Sequence, residues 1–251
     1  MADWRLAVDI GGTFTDVVLL DAASGRVVVD KTLTTPSAPL DGVRTGVTQL
    51  LAKAGVQPGD IVAPIVHATT LITNALIEGK TGRAGLVTTK GFGDTLLIRD
   101  EHRYDMYDLS ITYPDPLAPP HLRREINERI RADGSVAQEL DLDDLRRAVQ
   151  SMIDDHGLEA LAICFLNSPT NPAHEEAALK LVAAEFPKLY VSSSTDIFPF
   201  LREYERWTTT VMNAFTGPMF DTYLNRLESG LADLGFDASF YIMSSSGGTV
   251  T

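Results

Sequence analysis

The sequence predicts an α/β fold, and three observations carry that expectation. Short apolar runs rich in β-branched residues recur along the chain, beginning with residues 6–10 and 17–20. Between later runs the apolar residues fall three or four apart, as in Leu40, Val43, Val47, Leu50 and Leu51, the period of an amphipathic helix. Glycine turns mark several of the changes of period, as at Gly11-Gly12, Gly25, Gly55 and Gly79.

Residues 6–10, 17–20 and 26–33 read as strands, joined by Gly11-Gly12-Thr13 and by the turn Ala23-Ser24-Gly25, so the chain opens as a three-stranded meander. The helix that starts at Leu40 stops at Gly55. Residues 61–66 form a buried strand in which Pro64 argues for an edge or a bulge. Thr69 and Thr70 can cap a helix carrying Leu71, Ala75, Leu76 and Ile77, closed by Gly79. Another strand follows at 84–88. From 99 to 120 the period is lost among Pro114, Pro116, Pro119 and Pro120 and Tyr104, Tyr107 and Tyr113, which marks a long loop or a subdomain boundary. Regular alternation then resumes as helix 140–155, strand 160–166, helix 173–186 and strand 189–193. A long helical stretch spans 201–234, with Pro218 as a kink or break. A last strand at 240–243 enters Ser244-Ser245-Ser246-Gly247-Gly248. The expected division is a first domain over 1–95 and a second over 96–251, the latter holding the long helical segment and the start of a further domain. A strand that feeds a glycine turn at the end of the sequence suggests the N-terminal part of a longer chain.

Charge and cysteine content narrow the function classes. Lys and Arg number 21 against 34 Asp and Glu, a net charge of −13. Without a basic cluster, no nucleic-acid partner and no anionic membrane partner is expected. A phosphate ligand stays possible, because backbone N–H groups bind one without a basic field. The single cysteine, Cys164, lies in the apolar run Leu161-Ala162-Ile163-Cys164-Phe165-Leu166, so no disulfide forms within the chain and a core role is expected. The first residues lack the pattern of a signal peptide, and no apolar run approaches the ~20 residues of a bilayer span. A soluble, cytoplasmic protein is therefore expected. His121, His156 and His174 show no metal-ligand spacing.

The stretch Val8-Asp9-Ile10-Gly11-Gly12-Thr13-Phe14-Thr15-Asp16 carries the chemistry. Gly11 and Gly12 lack a Cβ and tolerate positive φ, so the main chain can approach an anion. Thr13 and Thr15 add hydroxyl donors. Asp9 and Asp16 would repel a bare phosphate and make sense with a bridging cation such as Mg²⁺. The spacing matches neither the Walker loop nor the dinucleotide fingerprint.

DIGGTFTD at 9–16 resembles the first phosphate motif of the sugar kinase, Hsp70 and actin superfamily. More narrowly, an ordered set of blocks resembles the N-terminal region of the hydantoinase/oxoprolinase family. They are VDIGGTFTDVVLLD at 8–21, VHATTLITNALIEGK at 66–80, GRAGLVTTKGFGD at 82–94, RDEHRYDMYDL at 99–109, REYERWTTTVMNAF at 202–215 and MSSSGGTV at 243–250. This resemblance implies a ribonuclease H-like first domain and the ATP-handling part of an enzyme that opens a cyclic amide with ATP and Mg²⁺. Residues 11–15 would then hold the β- and γ-phosphates while Asp9, with Asp16, holds Mg²⁺ through water. It also implies the remaining C-terminal half and a hydantoinase B-like subunit as partners, an oligomeric assembly, and inactivity of these 251 residues alone. The alternatives are a subunit of an acetone- or acetophenone-type carboxylase and a non-catalytic interaction module. Gly247-Gly248-Thr249 echoes Gly11-Gly12-Thr13 without flanking aspartates and reads as a turn.

His67 closes a strand, and strand ends face the crevice in open α/β sheets, so His67, Thr69, Thr70 and Asn74 are candidate cleft residues. The cluster Arg99 to Tyr104 reads as solvated loop charges, or as a substrate or interdomain contact, whereas Arg202, Glu203, Glu205 and Arg206 lie at a helix start as i,i+3 and i,i+4 pairs, with interdomain salt bridging and catalysis both open.

Overall fold

A computed structural model describes residues 2–35, 38–79, 82–100 and 103–250, the Pro39 side chain excepted. In chain order its elements are β1 (Trp4–Ile10), β2 (Phe14–Asp21), β3 (Arg26–Leu33), α1 (Pro39–Ala54), β4 (Ile65–Thr69), α2 (Leu71–Glu78), β5 (Ala84–Thr89) and α3 (Thr95–Ile98). There follow β6 (Arg123–Ile126), β7 (Arg129–Ile130), β8 (Val136–Gln138), α4 (Leu142–His156), β9 (Ala160–Cys164), α5 (Ala173–Glu185) and β10 (Tyr190–Ser193). The chain closes with α6 (Ser194–Ile197), α7 (Glu203–Asp233), β11 (Phe240–Met243) and β12 (Thr249–Val250). The α/β class agrees with the sequence reading. The division at 95/96 does not hold: one compact unit comprises Met1–Glu78 with Phe220–Thr251, and the other Gly79–Met219. The reason is strand pairing across long sequence distances. β11 pairs in parallel with β4 and so returns to the first sheet, whereas β5 pairs with β6 and β9 in the second.

The first unit holds a sheet in the order β12-β11-β4-β1-β2-β3. β1, β2 and β3 form the expected antiparallel meander, and β4 and β11 join in parallel. This is the ribonuclease H-like arrangement that the resemblance implies. Along β1, Trp4, Leu6, Val8 and Ile10 are buried and alternate with exposed Arg5, Ala7 and Asp9, the period-2 signature of a sheet with one covered face. Val43, Val47, Leu50 and Leu51 of α1 pack on the covered face, together with Leu227, Leu231 and Phe236. Each such fully buried side chain contributes about 1.5–3 kcal/mol. α1 ends where Gly55 takes φ 73° and its N–H reaches Leu51 O.

The second unit is a parallel sheet in the order β10-β9-β5-β6. Every residue of β5 and β9 is buried, Cys164 among them, as expected of strands covered on both faces. Leu145, Val149 and Met152 of α4 and Ala178 and Val182 of α5 share a core with Val87, Leu161, Ile163 and Phe165. Asp141 caps α4 by accepting from Asp144 N–H at 2.8 Å.

α7 continues through Pro218, so the kink or break expected there is not a break. Ala214 and Phe215 are buried ahead of the proline and Leu227 and Leu231 beyond it, which outweighs the lost hydrogen bond. Gly217 beside it has no room for a side chain: a Cβ would lie 2.2 Å from Tyr190 Cζ and 2.3 Å from Cε1. Gly217→Ala is therefore expected to destabilise the second unit by about 1–3 kcal/mol. A urea midpoint equal to the parent's would mean that the Tyr190 ring can move aside.

Candidate functional site

β1 and β2 pair up to Ile10 and Thr15, so Gly11-Gly12-Thr13-Phe14 makes the whole crossing between them. Gly11 N–H donates to Phe14 O at 2.9 Å and closes the bend. Neither Gly11 nor Gly12 has positive φ, which corrects that part of the expectation; the pair serves by lacking a Cβ. A Cβ at Gly11 would press on Phe14 O at 3.2 Å. At Gly12 it would enter open space bounded by Asn74 Nδ2 at 3.5 Å. Among the described residues, the N–H groups of Gly12 and Thr13 meet no acceptor, and both residues are exposed. Backbone donors that the protein leaves unspent beside an open space are what an anion needs.

The bend is clamped by Thr34, a residue the sequence reading missed. Thr34 N–H donates to Thr13 O at 2.9 Å, and its hydroxyl donates to Gly11 O at 2.9 Å. The Thr34 proton being spent there, Thr15 Oγ1 donates to Thr34 Oγ1 at 3.0 Å. Thr15 is fully buried by this bond, so its hydroxyl faces the core and not the open side of the bend. That removes Thr15 from the phosphate donors. The available signal was Thr32-Leu33-Thr34, hydroxyls alternating at the end of β3 beside the bend.

Asp9 and Asp16 are direct cross-strand partners on the face away from the core. Like charges so placed repel. Lys31, the partner of Asp16 on β3, sits 3.1 Å from the Asp16 carboxylate and 4.8 Å from the centre of the Phe14 ring. Asp9 has no cationic partner among the described residues, so this row has a place for one more positive charge. No group of three or more His, Cys, Asp or Glu side chains suited to a metal occurs among the described residues. A cation at Asp9 would thus take most of its ligands from water or a bound molecule, as Mg²⁺ does with nucleotides.

The start of α2 borders the same bend. Thr69 Oγ1 donates to Ile10 O at 3.1 Å and accepts from Leu71 N–H at 3.1 Å, tying the first turn of α2 to the end of β1. Exposed Thr70 accepts from Asn74 Nδ2 at 3.2 Å, which aims the Asn74 amide at Gly12. Asp9, Gly12, Thr13, Asp16, Thr70 and Asn74 are therefore brought together, with Thr69 serving as a cap.

His67 does not face a cleft, which corrects the expectation for it. It is fully buried, stacked on Phe240, with Nδ1–H donated to Val8 O at 3.0 Å and Nε2 accepting from Tyr223 O–H at 2.7 Å. Carbonyl and phenol together fix the neutral tautomer. Burial pushes the His67 imidazole down to about 4, against the opposing pull of the Val8 carbonyl. Burial also holds the Tyr223 phenol protonated well above its ordinary range. The unfolded chain takes up a proton at His67 near pH 6.5 while the folded chain resists until about pH 4. Stability present above pH 6.5 is thus lost as the pH falls through that window, by up to about 1.4 kcal/mol per pH unit. Urea titrations from pH 7 to 4 should show this acid arm, and it should flatten in His67→Gln.

In the second unit Arg99 Nη2 donates to Pro114 O at 2.7 Å and the guanidinium lies 4.2 Å over the Tyr113 ring. Glu101 and His102 lie outside the described residues. Arg202 pairs with Glu205 at 3.2 Å at the surface, whereas Arg206 is fully buried in a hydrogen-bond network and holds structure. Gly247, at φ 86°, turns β11 into β12. No helix among the described residues is long and apolar enough to cross a membrane.

Comparison with known proteins places the chain among relatives of one family. Residues 5–186 match the model of the hydantoinase/oxoprolinase N-terminal region, and residues 206–251 that of hydantoinase/oxoprolinase. The chain is 39% identical to caprolactamase subunit alpha of Pseudomonas jessenii, over 98% of this chain and 36% of that one. The crystal structure of the ATP-dependent caprolactamase from the same organism superposes with a TM-score of 0.87 at 37% identity, over 98% of this chain and 36% of that one. A nucleotide-free structure of acetone carboxylase, from work on ATP-dependent acetone carboxylation, superposes with a TM-score of 0.89 at 26% identity, over 100% of this chain and 37% of that one. The chain thus spans little more than a third of the length of these relatives. With its matched region covering most of its residues, the chain belongs to the hydantoinase/oxoprolinase family.

Proposed function

We propose that this chain is the ATP-handling part of an enzyme that opens a cyclic amide ring at the expense of ATP hydrolysis. The observation that carries the reading is the Asp9–Asp16 pair beside a bend whose Gly12 and Thr13 N–H groups are unspent. Gly12 and Thr13 N–H, with the Thr13 hydroxyl, would bind phosphate oxygens, and the Asn74 amide would border them. Asp9 would hold Mg²⁺ through water, with Asp16 beside it already paired with Lys31. Bound Mg·ATP would supply a phosphoryl group to activate an amide carbonyl, which resonance otherwise protects from water. The protein's own share is positioning and charge neutralisation: Thr34 and Thr69 hold the bend against β3, β1 and α2, and the buried His67–Tyr223 bond braces β4 beneath it. A lactam-type substrate is favoured by the 39% identity to caprolactamase subunit alpha, whose name also supports a second subunit as partner.

The second reading, carboxylation of a ketone, is favoured by the TM-score of 0.89 to acetone carboxylase. ATP turnover by the chain at its relatives' length, together with its partner subunit, separates the two. Stimulation by caprolactam, 5-oxoproline or hydantoin supports ring opening; stimulation by acetone with bicarbonate supports carboxylation. Failure to bind Mg·ATP at all would leave only the non-catalytic module.

A further inference from the structure

Two charged segments of the second unit, far apart in sequence, border one cavity of about 470 Å³. Residues 90–100 leave the carboxyl end of β5, and residues 194–202 leave that of β10 and lead into α7. β5, β9 and β10 run parallel, and the strand order β10-β9-β5-β6 reverses at β5, which has β6 on one side and β9 on the other. Open parallel sheets bind ligands beyond the carboxyl ends of their strands at such a reversal. Phe92, Ile98 and Tyr204 give the cavity apolar walls. Arg99 and Arg202 bring positive charge to it, and Asp100, Glu203 and Glu205 negative charge. Among the described residues three non-glycine residues take positive φ, and two of them, Arg99 at 61° and Arg202 at 82°, line this cavity. Such backbone is unfavourable and gathers at ligand sites, where the surrounding structure holds it in place.

We propose that this cavity binds a zwitterionic amino acid, an ammonium and a carboxylate joined by a short carbon chain. A bare anion would meet three carboxylates there, and a bare cation two guanidinium groups. A molecule with both charges turns each end toward its opposite, and its carbon chain lies on the apolar walls. Guanidinium groups suit a carboxylate because their paired N–H donors match its two oxygens. Arg99 is already oriented, with Nη2 donating to Pro114 O at 2.7 Å and the group stacked 4.2 Å over the Tyr113 ring. Arg202 meets Glu205 at 3.2 Å with its own side chain 80% exposed. Such a surface pair is weak, so the two ends of a ligand can part it and take one member each. Opening a lactam breaks its C–N bond and adds water, leaving a carboxylate on the carbonyl carbon and an ammonium on the nitrogen. The ring-opened product is therefore a ligand of this class. The choice of probes below rests on the ring-opening reading; the charge class of the ligand rests on the cavity alone.

The test is calorimetric titration of the chain at its relatives' length, without nucleotide. The titrants are 6-aminohexanoate, 4-aminobutanoate and glutamate, with hexanoate and hexylamine as single-charge controls. At least one amino acid should bind about tenfold or more tightly than both controls, the gain from one further charged hydrogen bond. Arg202→Gln and, separately, Glu205→Gln each remove one surface charge from the cavity and should weaken that amino acid by about tenfold. Their urea midpoints should match the parent's. Equal affinity for amino acids and controls would overturn the proposal, and so would an affinity that neither variant changes. Lactam-stimulated ATP turnover without amino-acid binding would overturn this site and leave the ring-opening reading standing. Amino-acid binding in an enzyme whose turnover answers only to a ketone with bicarbonate would do the reverse.

Discussion

Asp9→Asn is expected to lower ATP turnover of the complete enzyme by roughly 10²–10³-fold, the range seen when one preorganised electrostatic group is removed. The fold should not suffer. Asp9 is exposed and has no cationic partner among the described residues, and removing it relieves repulsion from Asp16 across the strand pair. Stability should stay level or rise by a few tenths of a kcal/mol while activity collapses, a combination that simple unfolding cannot produce. High Mg²⁺ should restore part of the loss, since the carboxyl-to-amide change weakens a cation site without filling it. Asp16→Asn should cost less, because Asp16 already has Lys31 as a partner. Gly12→Val provides an independent probe of the bend. Its φ is not positive and the first side-chain atom would meet Asn74 at 3.5 Å, an ordinary contact, so the chain should fold and lose turnover by occupying the anion's space. Turnover within about twofold of the parent in Asp9→Asn would remove that carboxylate from the mechanism.

The bend and its carboxylates were legible because their chemistry is local. Two glycines, flanking hydroxyls and two aspartates lie within a few consecutive positions, and strand alternation puts Asp9 and Asp16 on one face once Gly11-Gly12-Thr13 is read as the turn. Thr15 and His67 were misplaced for the complementary reason. Alternation puts Thr15 on the core side of β2, and only the position of Thr34 on β3 reveals where its hydroxyl is spent. The sequence reading ends the strand at His67, where cleft residues gather, but β4 runs on to Thr69 and sets His67 in mid-strand, and its partner Tyr223 arrives from α7, distant in sequence. The domain division failed in the same way. Strands 84–89 and 240–243 look alike as apolar runs, and nothing local says that the first leaves the opening sheet and the second returns to it. A buried network in the second unit escaped for want of any local signature, since Glu175, Ser194 and Arg206 fall in three separate elements or their flanks.

That network sets the largest expected loss of stability. Glu175 is fully buried near the start of α5, and its carboxylate is surrounded by donors. Oε1 accepts from Phe165 N–H and Ser194 O–H, both at 2.7 Å, and Oε2 from Thr195 N–H at 2.9 Å and Thr195 O–H at 3.1 Å. Ser194 relays the charge to Arg206, whose Nε donates to Ser194 Oγ at 3.0 Å. The rest of that guanidinium is spent on Phe165 O at 2.9 Å and Phe200 O at 3.0 Å. The two buried charges thus offset each other across one hydroxyl while stitching β9, α5, α6 and the start of α7 together. Glu175→Ala strips the acceptor from several donors at once and leaves the buried Arg206 cation with only the part-exposed Glu203 carboxylate, at 4.0 Å, as counter-charge. Removing one partner of a buried pair costs about 3–5 kcal/mol, a large part of an ordinary domain's stability. Glu175→Gln keeps the shape but turns an amide NH₂ toward donors on one side, and should cost about 1–3 kcal/mol. Replacing both charges, as in Glu175→Leu with Arg206→Met, should cost less than the two single losses added together, because neither charge is then stranded. Urea unfolding of the parent, Glu175→Ala, Glu175→Gln, each single member of the pair and the double measures each quantity. Strict additivity, or a loss below about 1 kcal/mol for Glu175→Ala, would mean that water already reaches the carboxylate and that the network does not hold the second unit together.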